Sequence, residues 1–463
     1  MTTPDQPGLR QSLVAFGGVI CIVVVGLLWF GVDLHVLLIA SLVWISGHSA
    51  ALGFRFHSIR QAMIAGIEKG LGAIFIFILI GILIAALLES GTIGSLVYYG
   101  VDILHPAAFL PVSLILCSLM SVATGTAWGT VATIGVVLMG LGTALGIPLP
   151  LVAGTVVSGA SFGDKMSPVS DTTVLAAMSA ETNVYEHIKA MLYTTIPTYA
   201  VCLVLFTVIG LSYGENAIPV EQLVTLKNQL AIEFAINPLT LLPLFVLLVL
   251  SLARISVEPS MLASVATALL LAVIVQDRPL TDVLASLNVG YVSSTGAGQL
   301  DALLNRGGIQ SMMWTLSLAL VALALGGLLD RAGFVRVLMS GLLARVKRSA
   351  SLMAATIGSG VVANMSMGEA YLSIIFGGQI FRESYRANRL QKVMLSRCLE
   401  EGATLSTSLI PWTTAGAFYA GVLGMSALEY APWAFFNYIN PVLSVILAYM
   451  GFGIFRQKAI ERP

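Results

Sequence analysis

The sequence predicts an all-α polytopic membrane protein with two inverted repeats of about five membrane crossings each. Three observations lead to this class. Of the 463 residues, 57% are hydrophobic and 10% are charged, whereas soluble proteins have about 25% charged residues. Many of the 45 Gly and 17 Pro residues lie inside apolar runs, which is typical of packed, interrupted transmembrane helices and not of a β-barrel. The third observation is an internal repeat.

Several functional classes are disfavoured by composition. The 23 basic and 23 acidic residues give a net charge of zero, so no global field attracts nucleic acid. The four cysteines lie in apolar stretches without CxxC spacing, which predicts neither disulfides nor a zinc site. Because no nucleophile and base pair or metal cluster is evident, we expect neither an enzyme nor a cofactor.

The apolar segments follow one another along the whole chain. The first, residues 12–31, lacks a cleavage site and is long enough to cross a bilayer, so it is predicted as the first transmembrane helix. The others are 34–51, 71–88, 109–145, 149–180, 190–211, 238–253, 261–275, 309–329, 351–380, 404–425 and 433–455. Polar connectors cover 212–233 and 276–310.

The internal repeat appears when the sequence is shifted on itself by 242 to 243 residues. This shift places Leu87 on Leu329, Gly91 on Gly333, Gly125 on Gly368, Gly159 on Gly402, and Pro168 on Pro411. A smaller shift of 225 places Asp33 on Glu258, which locates an insertion of about 20 residues at 291–310. The predicted units are a first repeat, 1–213, an extracytoplasmic linker, 214–235, and a second repeat, 236–463.

Two interrupted segments determine the orientation of the repeats. Residues 109–145, broken at 124–129, are interpreted as a re-entrant hairpin, and residues 149–180, broken at 163–168, as a discontinuous helix that crosses. Five crossings per repeat invert the second copy, which is typical of secondary transporters. This topology leaves 19 of the 23 basic residues in the cytoplasm, as the positive-inside rule requires. We therefore expect a multi-pass protein of the plasma (inner) membrane with both termini cytoplasmic.

Acidic residues inside the membrane segments are the candidate site residues, because a charge at mid-bilayer costs about 2.5–3.5 kcal/mol. Asp164 and Asp171 flank the first break, and Glu369 lies at the tip of the second hairpin. Carboxylate, hydroxyl and free carbonyl oxygens predict a Na⁺ site held by Asp164 and Asp171. Protons are predicted to compete at both aspartates and at Glu369. The remaining candidates for ion or substrate binding are hydroxyl residues near the breaks and tips: Thr124, Thr126, Ser167, Ser170, Thr172, Ser366, Thr404, Ser406 and Thr414.

Structural interpretations of the same charged residues stay open. Asp164 could cap its half-helix or pair with Lys165. Lys165 could instead supply positive charge to an anionic substrate. Glu400 and Glu401 could lie at the cytoplasmic end of their helix and bind Arg397.

Two polar stretches resemble the NhaC-type Na⁺/H⁺ antiporter family, which also contains malate/lactate antiporters. The first is GASFGDKMSPVSDTT at residues 159–173, and the second comprises GEAYLSII at 368–375, LSR at 395–397, EEGAT at 400–404 and LIPW at 409–412. The chain departs from the family pattern at Val174, where Asn is common, and at Thr413 and Ala415, where the family tends to have Asn and Cys.

The resemblance implies an antiporter that exports Na⁺ in exchange for H⁺. It also implies an elevator-type movement of a transport domain beside a dimeric scaffold, and hence a homodimer in the lipid bilayer. The alternative is a Na⁺- or H⁺-coupled exchanger of small carboxylates such as malate and lactate, in which half-helix N-termini and hydroxyls bind the substrate carboxylate. A channel is disfavoured, since the duplicated, broken architecture suits alternating access.

Overall fold

A computed structural model describes residues 6–103, 105–214, 220–253, 255–293, 301, 304–343, 346 and 348–457. Within these ranges the chain is helical, and its only β pairing is an isolated bridge between Leu390 and Arg456. The predicted cytoplasmic ends, 1–5 and 458–463, lie outside the described residues, as do parts of the predicted linker, 215–219, and of the predicted insertion, 294–300 and 302–303.

The first half contains eleven numbered helices. They are α1 Leu9–Leu28, α2 Leu34–Ala51, α3 Phe56–Lys69, α4 Leu71–Glu89, α5 Thr92–Ile103, α6 Pro106–Thr124, α7 Ala127–Thr130, α8 Val136–Ala144, α9 Leu149–Met166, α10 Asp171–Ser179 and α11 Val184–Gly214. A π-helical turn, Val131–Gly135, joins α7 to α8.

The second half repeats much of this order. Its helices are α12 Val220–Glu233, α13 Leu242–Leu252, α14 Val257–Ile274, α15 Leu280–Val289, α16 Ile309–Arg331, α17 Phe334–Leu343, α18 Ser349–Met367, α19 Ala370–Ala387, α20 Lys392–Leu399, α21 Leu405–Thr407, α22 Thr414–Leu423, α23 Ala427–Tyr430 and α24 Phe435–Tyr449. A 3-10 turn, Pro238–Leu241, precedes α13, and a π-helical turn, Glu400–Thr404, joins α20 to α21.

The number of candidate membrane spans agrees with the predicted class. Eight described helices are long and apolar enough to cross a bilayer, and the count rises to eleven if each of three bent helix pairs is one span. The polytopic α-helical class is thereby confirmed. The ten crossings predicted from the sequence fall within this range.

The two predicted hairpins turn at glycines in the left-handed backbone region. Gly125 ends α6 with φ 71°, and Gly368 ends α18 with φ 68°. Residues with a Cβ rarely adopt this conformation, so glycine at the C-terminus of a helix allows the chain to reverse. Helical structure resumes two residues later in both cases, with Thr126 and Glu369 as the N-caps.

Each half also contains a helix that is interrupted. The first breaks between α9 and α10, where Ser167 and Ser170 are extended. The second breaks between α21 and α22, and its first part starts at Lys392, well before the start at Thr404 expected from the sequence. Glu400 and Glu401 therefore lie within this helix, and the expectation that they sit at a helix end is wrong.

Each hairpin tip packs against the interruption in the same half. The Ser167 hydroxyl donates to the Val122 carbonyl at 2.8 Å. In the second half the Thr414 amide donates to the Gly368 carbonyl at 2.8 Å, and the Trp412 indole donates to the Met365 carbonyl at 2.9 Å. These bonds satisfy polar groups that the two interruptions leave without helical partners.

The apolar core does not separate the two halves. One cluster of buried side chains combines Phe109 and Val156 with Phe418 and Phe436, and a second combines residues such as Leu38 with residues of α18. The described part of the predicted linker is mainly helical despite its polar composition, because α12 spans Val220–Glu233. The halves are units of sequence that fold around shared cores.

Candidate ion-binding site

A cavity of about 350 Å³ lies where the hairpin tips meet the interrupted helices. Its wall contains Gly125–Gly129 from the first tip and Glu369–Tyr371 from the second. Asp164 and 170–172 come from the first break, and 404, 407–408 and 414–415 from the second interrupted helix. The tips and breaks that the sequence singled out separately thus surround one space.

At the first break one hydroxyl connects two carboxyl groups. The Thr172 hydroxyl lies 3.2 Å from an Asp164 carboxylate oxygen and 3.1 Å from a Glu400 carboxylate oxygen. Asp164 is 7% exposed and Glu400 is fully buried. A threonine hydroxyl has one hydrogen and cannot donate to both acceptors. Both contacts can be hydrogen bonds when one carboxyl carries a proton and donates it to the Thr172 oxygen, while the second Glu400 oxygen has no partner among the described residues.

A second set of buried charges lies beyond this pair. Lys165 is fully buried and interacts electrostatically with Glu400, Glu401 and Asp164. Its ammonium group has no hydrogen-bond partner among the described residues, so the expected pairing with Asp164 is not a direct hydrogen bond. Glu401 pairs with Arg397 at 3.8 Å, as the structural interpretation expected.

The other two predicted acids, Asp171 and Glu369, are connected through the start of α19. Asp171 is exposed to the cavity and accepts a hydrogen bond from the Tyr371 hydroxyl at 3.1 Å. Glu369 is 7% exposed and accepts one from the Thr414 hydroxyl at 2.6 Å. Glu369 thus joins the second tip to the second interrupted helix.

Five helices begin at this cavity. The first residues of α7, α10, α14, α19 and α22 all line it. Each helix N-terminus carries a partial positive charge of about half a unit from its unpaired N–H groups. Asp171 and Glu369 lie at two of these N-termini, where a carboxylate is stabilised.

The twelve predicted binding residues fall into two groups. Eight line the cavity: Thr126, Asp164, Ser170, Asp171, Thr172, Glu369, Thr404 and Thr414. The other four lie behind it and donate their hydroxyls to backbone carbonyls, namely Thr124 to Met120, Ser167 to Val122, Ser366 to Val362, and Ser406 to Gly402. Ser406 also accepts a hydrogen bond from Asn364.

Aromatic side chains form part of the cavity wall, and sequence reasoning did not select them. Trp128 stacks on Phe418 with centroids 4.4 Å apart, and Phe77 packs against Phe418 at 5.6 Å. Tyr371 and Tyr419 also line the space. Only the fold brings these residues together, because they come from four distant helices.

Glu400 qualifies as a candidate by its position in the sequence, but it is not among the predicted binding residues. Two adjacent acids interrupt the apolar stretch around 393–410, and the predicted segment begins only after them, at Thr404. The signal that could have identified them is that apolar residues continue on both sides of the pair.

Charge and oxygen ligands together define the chemistry of the cavity. Within the described ranges no three His, Cys, Asp or Glu side chains are close enough to hold a metal ion. A Na⁺ ion bound here would therefore draw on hydroxyl and carbonyl oxygens in addition to a carboxylate, as hard cations accept. The same carboxyl groups can bind protons.

Comparison with known proteins extends the resemblance to the whole chain. The model of the Na⁺/H⁺ antiporter family matches residues 9–183 and 159–452. The chain belongs to this family. The resemblance stated from the polar stretches is therefore confirmed, and membership indicates a membrane antiporter and not an enzyme.

Three curated relatives illustrate the range of the family. The Na⁺/H⁺ antiporter NhaC of Alkalihalophilus pseudofirmus is 35% identical over 97% of this chain and 97% of its own length. The malate-2H⁺/Na⁺-lactate antiporter of Bacillus subtilis is 38% identical over 86% of both chains. The arginine/ornithine antiporter ArcD of Halobacterium salinarum is 31% identical over 99% of this chain and 95% of its own.

Proposed function

We propose that this protein is a secondary active antiporter that exports Na⁺ in exchange for H⁺ across the plasma membrane. The observation that carries the proposal is the Thr172 hydroxyl shared by the buried carboxyl groups of Asp164 and Glu400 beside Asp171. Such a group of oxygen ligands can accept a proton or a cation. The similarity to the Na⁺/H⁺ antiporter of Alkalihalophilus pseudofirmus supports the same exchange.

Competition for carboxylates couples the two ions in this proposal. Asp164 and Asp171 bind Na⁺ together with Ser170 and Thr172, and a proton on either aspartate removes the charge that holds the ion. Glu369, at the second hairpin tip, is a further proton-binding group. Because Na⁺ and H⁺ exclude one another, each crossing of the site carries one or the other, and a gradient of one drives the other.

We also propose that the repeats are inverted and that both hairpins are re-entrant. Both tips line one internal cavity, and irregular backbone at membrane depth is tolerated where it lines a cavity or is buried in protein. The tips and interrupted helices then form the mobile part of an elevator-type transporter. A scaffold that pairs with a second copy completes a homodimer.

Na⁺-specific stabilisation tests the proposal directly. A ligand that binds the folded state at about 100 Kd stabilises it by about 2.7 kcal/mol. We expect Na⁺ to raise the melting temperature of the purified protein at alkaline pH, with KCl at equal ionic strength as the reference. Lack of a Na⁺-specific shift over a wide concentration range would contradict the proposal.

Exchange measurements on Asn variants test the two aspartates one at a time. Asp164→Asn and Asp171→Asn keep side-chain size and remove the charge, and each should abolish Na⁺-driven pH change in proteoliposomes. Glu383→Gln, an exposed acid on α19 paired with Arg386, is the matched control and should exchange normally. A correctly inserted Asp171→Asn protein with normal exchange would remove Asp171 from the mechanism.

A second candidate function is exchange of small carboxylates. The observation that favours it is the meeting of five helix N-termini at the cavity, a geometry that suits an anionic group. The relative from Bacillus subtilis is a malate and lactate antiporter. Adding malate or lactate to the same proteoliposomes should stimulate Na⁺-driven pH change if this function holds and leave it unchanged otherwise.

A further inference from the structure

We propose that the cavity also accepts a small organic ammonium ion, so that the protein binds an organic cation in competition with Na⁺. The inference rests on the proposed transport function, because it assigns a second substrate class to the same cavity. Four observations support it: the size of the cavity, its charge, its aromatic wall and an unpartnered hydroxyl.

The cavity is larger than a monovalent metal ion needs. Its volume of about 350 Å³ lies within the range of small-molecule pockets, about 300–1,000 Å³. That space corresponds to roughly ten waters at about 30 Å³ each. A Na⁺ ion held by a few oxygens leaves most of this volume for a molecular substrate.

The charge of the wall selects a cation. Asp164, Asp171, Glu258 and Glu369 line the cavity, whereas its one lining base, Lys69, pairs with Asp330 at 3.2 Å. Five helix N-termini contribute about half a positive charge each, roughly two and a half in all, against up to four negative carboxylates. The negative charge therefore exceeds the positive charge, which opposes an unaccompanied anion.

The aromatic wall suits the apolar part of an alkylammonium ion. Trp128 and Phe418 present apolar surface next to the acids. Tyr371 combines both features, since its ring lines the cavity and its hydroxyl binds Asp171. Tyr371 is 39% exposed, and among the described residues no other ring packs against it. Part of its ring is thus accessible to a cation, which aromatic rings attract through their quadrupole.

A buried hydroxyl on the wall lacks a partner. Thr407 is 6% exposed and lines the cavity, and its hydroxyl makes no hydrogen bond within the described part of the chain. Buried polar groups are nearly always paired. A bound molecule with a hydroxyl or ammonium group would supply the missing partner.

The test compares choline with its uncharged isostere, 3,3-dimethylbutan-1-ol, using the purified full-length protein. Choline should raise the melting temperature in a saturable manner and lower the apparent affinity for Na⁺, while the isostere does neither at equal concentration. Tyr371→Leu should weaken choline binding about tenfold, because the ring is lost. Tyr371→Phe, which keeps the ring, should stay within about threefold of the wild type, and Tyr185→Leu, an exposed tyrosine on α11, should bind choline normally.

Each result decides the inference. Equal stabilisation by choline and the isostere, or choline affinity unchanged in a folded Tyr371→Leu protein, would overturn it. Failure of choline to bind also overturns the inference. The stabilisation by Na⁺ measured on the same sample then shows whether the antiporter proposal fails as well. Na⁺ stabilisation without choline binding leaves the antiporter proposal intact, whereas the absence of both effects removes the two together.

Discussion

At the scale of single residues, Thr172 holds the position with the greatest chemical consequence. It follows Asp171 at the start of α10, and its hydroxyl lies between Asp164 and Glu400. The single hydroxyl hydrogen can be donated to either carboxyl group but not to both. Protonation of one acid therefore changes the hydrogen bond available to the other. The hydroxyl can thereby link the break in the first interrupted helix to the π-helical turn in the second.

Two substitutions of Thr172 test this role. Thr172→Val keeps the shape but removes the hydroxyl, and we expect the apparent Na⁺ affinity in proteoliposomes to fall about tenfold or more. The reason is that a hydrogen bond to a charged group contributes about 1.5–3 kcal/mol, and about 1.4 kcal/mol is a factor of ten. Thr172→Ser restores the hydroxyl and should stay within about threefold of the wild type.

A buried threonine on the same interrupted helix provides the control. Thr155 is fully buried and donates to the Leu151 carbonyl one turn earlier, outside the cavity wall. Thr155→Val should leave Na⁺ affinity unchanged. Equal losses in Thr155→Val and Thr172→Val would show that the hydroxyl of Thr172 has no special role.

At the scale of elements, the two hairpin tips use the same backbone conformation in different surroundings. A Cβ on Gly125 would lie 2.6 Å from a methyl carbon of Val169 and 3.1 Å from its carbonyl carbon. A Cβ on Gly368 would have its nearest neighbour at 3.6 Å. The first tip is therefore tightly packed on its break, whereas the second has room.

This difference predicts unequal effects of alanine at the two tips. Gly368→Ala should lower stability by about 1–2 kcal/mol, the cost of left-handed backbone for a residue with a Cβ. Gly125→Ala should lower it more, because the clash with Val169 adds to the same strain. Thermal unfolding in detergent measures both, and Gly358→Ala in α18, where a Cβ meets nothing within 4 Å, should cause no loss. A greater loss in Gly368→Ala than in Gly125→Ala would contradict the packing argument.

A charged connection joins the loop after α10 to α19 and α20. Glu181 accepts hydrogen bonds from Arg382 at 2.7 Å and from Lys392 at 3.3 Å. The hydrogen bond from Lys392, together with the positive charges of Arg382 and Lys392, lowers the pKa of Glu181 below its ordinary value. A lowered folded-state pKa means that this contribution to stability is complete above the unfolded pKa, about 4.3, and is lost as pH falls through the folded pKa.

The pH dependence of a Glu181 variant follows from that sign. Glu181→Gln should have a lower melting temperature than the wild type at pH 7, and the difference should shrink as the pH falls through the lowered folded-state pKa of Glu181 and disappear below it. The effect should also shrink in concentrated KCl, since exposed ion pairs are screened. Glu383→Gln, whose ion pair with Arg386 lies within one helix, should change the melting temperature less. A difference that persists at low pH would exclude the ion pairs as its cause.

At the scale of the whole molecule, orientation in the membrane follows from charge. The proposed topology places the C-terminal end of α11, which includes Ser212, outside and the basic residues of α19 inside. In a Cys21→Ser background the remaining native cysteines, Cys117, Cys202 and Cys398, are buried. Ser212→Cys should react with an impermeant maleimide in intact cells, and Arg386→Cys only after the membrane is opened. The reverse result at either position would contradict the inverted arrangement.

Much of the site could be predicted because each acid near a break carries a local signal. Asp164 and Glu369 each follow a glycine inside an apolar segment, and Asp171 lies three residues after Pro168; a charge at membrane depth is costly unless it has a function or a partner. Glu400 carries a similar signal, but the sequence leaves open whether it lies at a helix end. The roles of the hydroxyl residues were harder to predict. Ser167 and Thr172 lie in one polar stretch, yet the Ser167 hydroxyl binds a backbone carbonyl and the Thr172 hydroxyl contacts two carboxyl groups.

The sequence alone determined the membrane class, the positions of the first helix break and both hairpin turns, and the family. These features depend on local composition and on glycines and prolines whose backbone preferences act at their own positions. Only the tertiary structure decided that tips and breaks surround one cavity, that Glu400 shares a hydroxyl with Asp164, and that Trp128 stacks on Phe418. Such contacts join residues hundreds of positions apart, and they depend on the packing of whole helices, which no local pattern specifies.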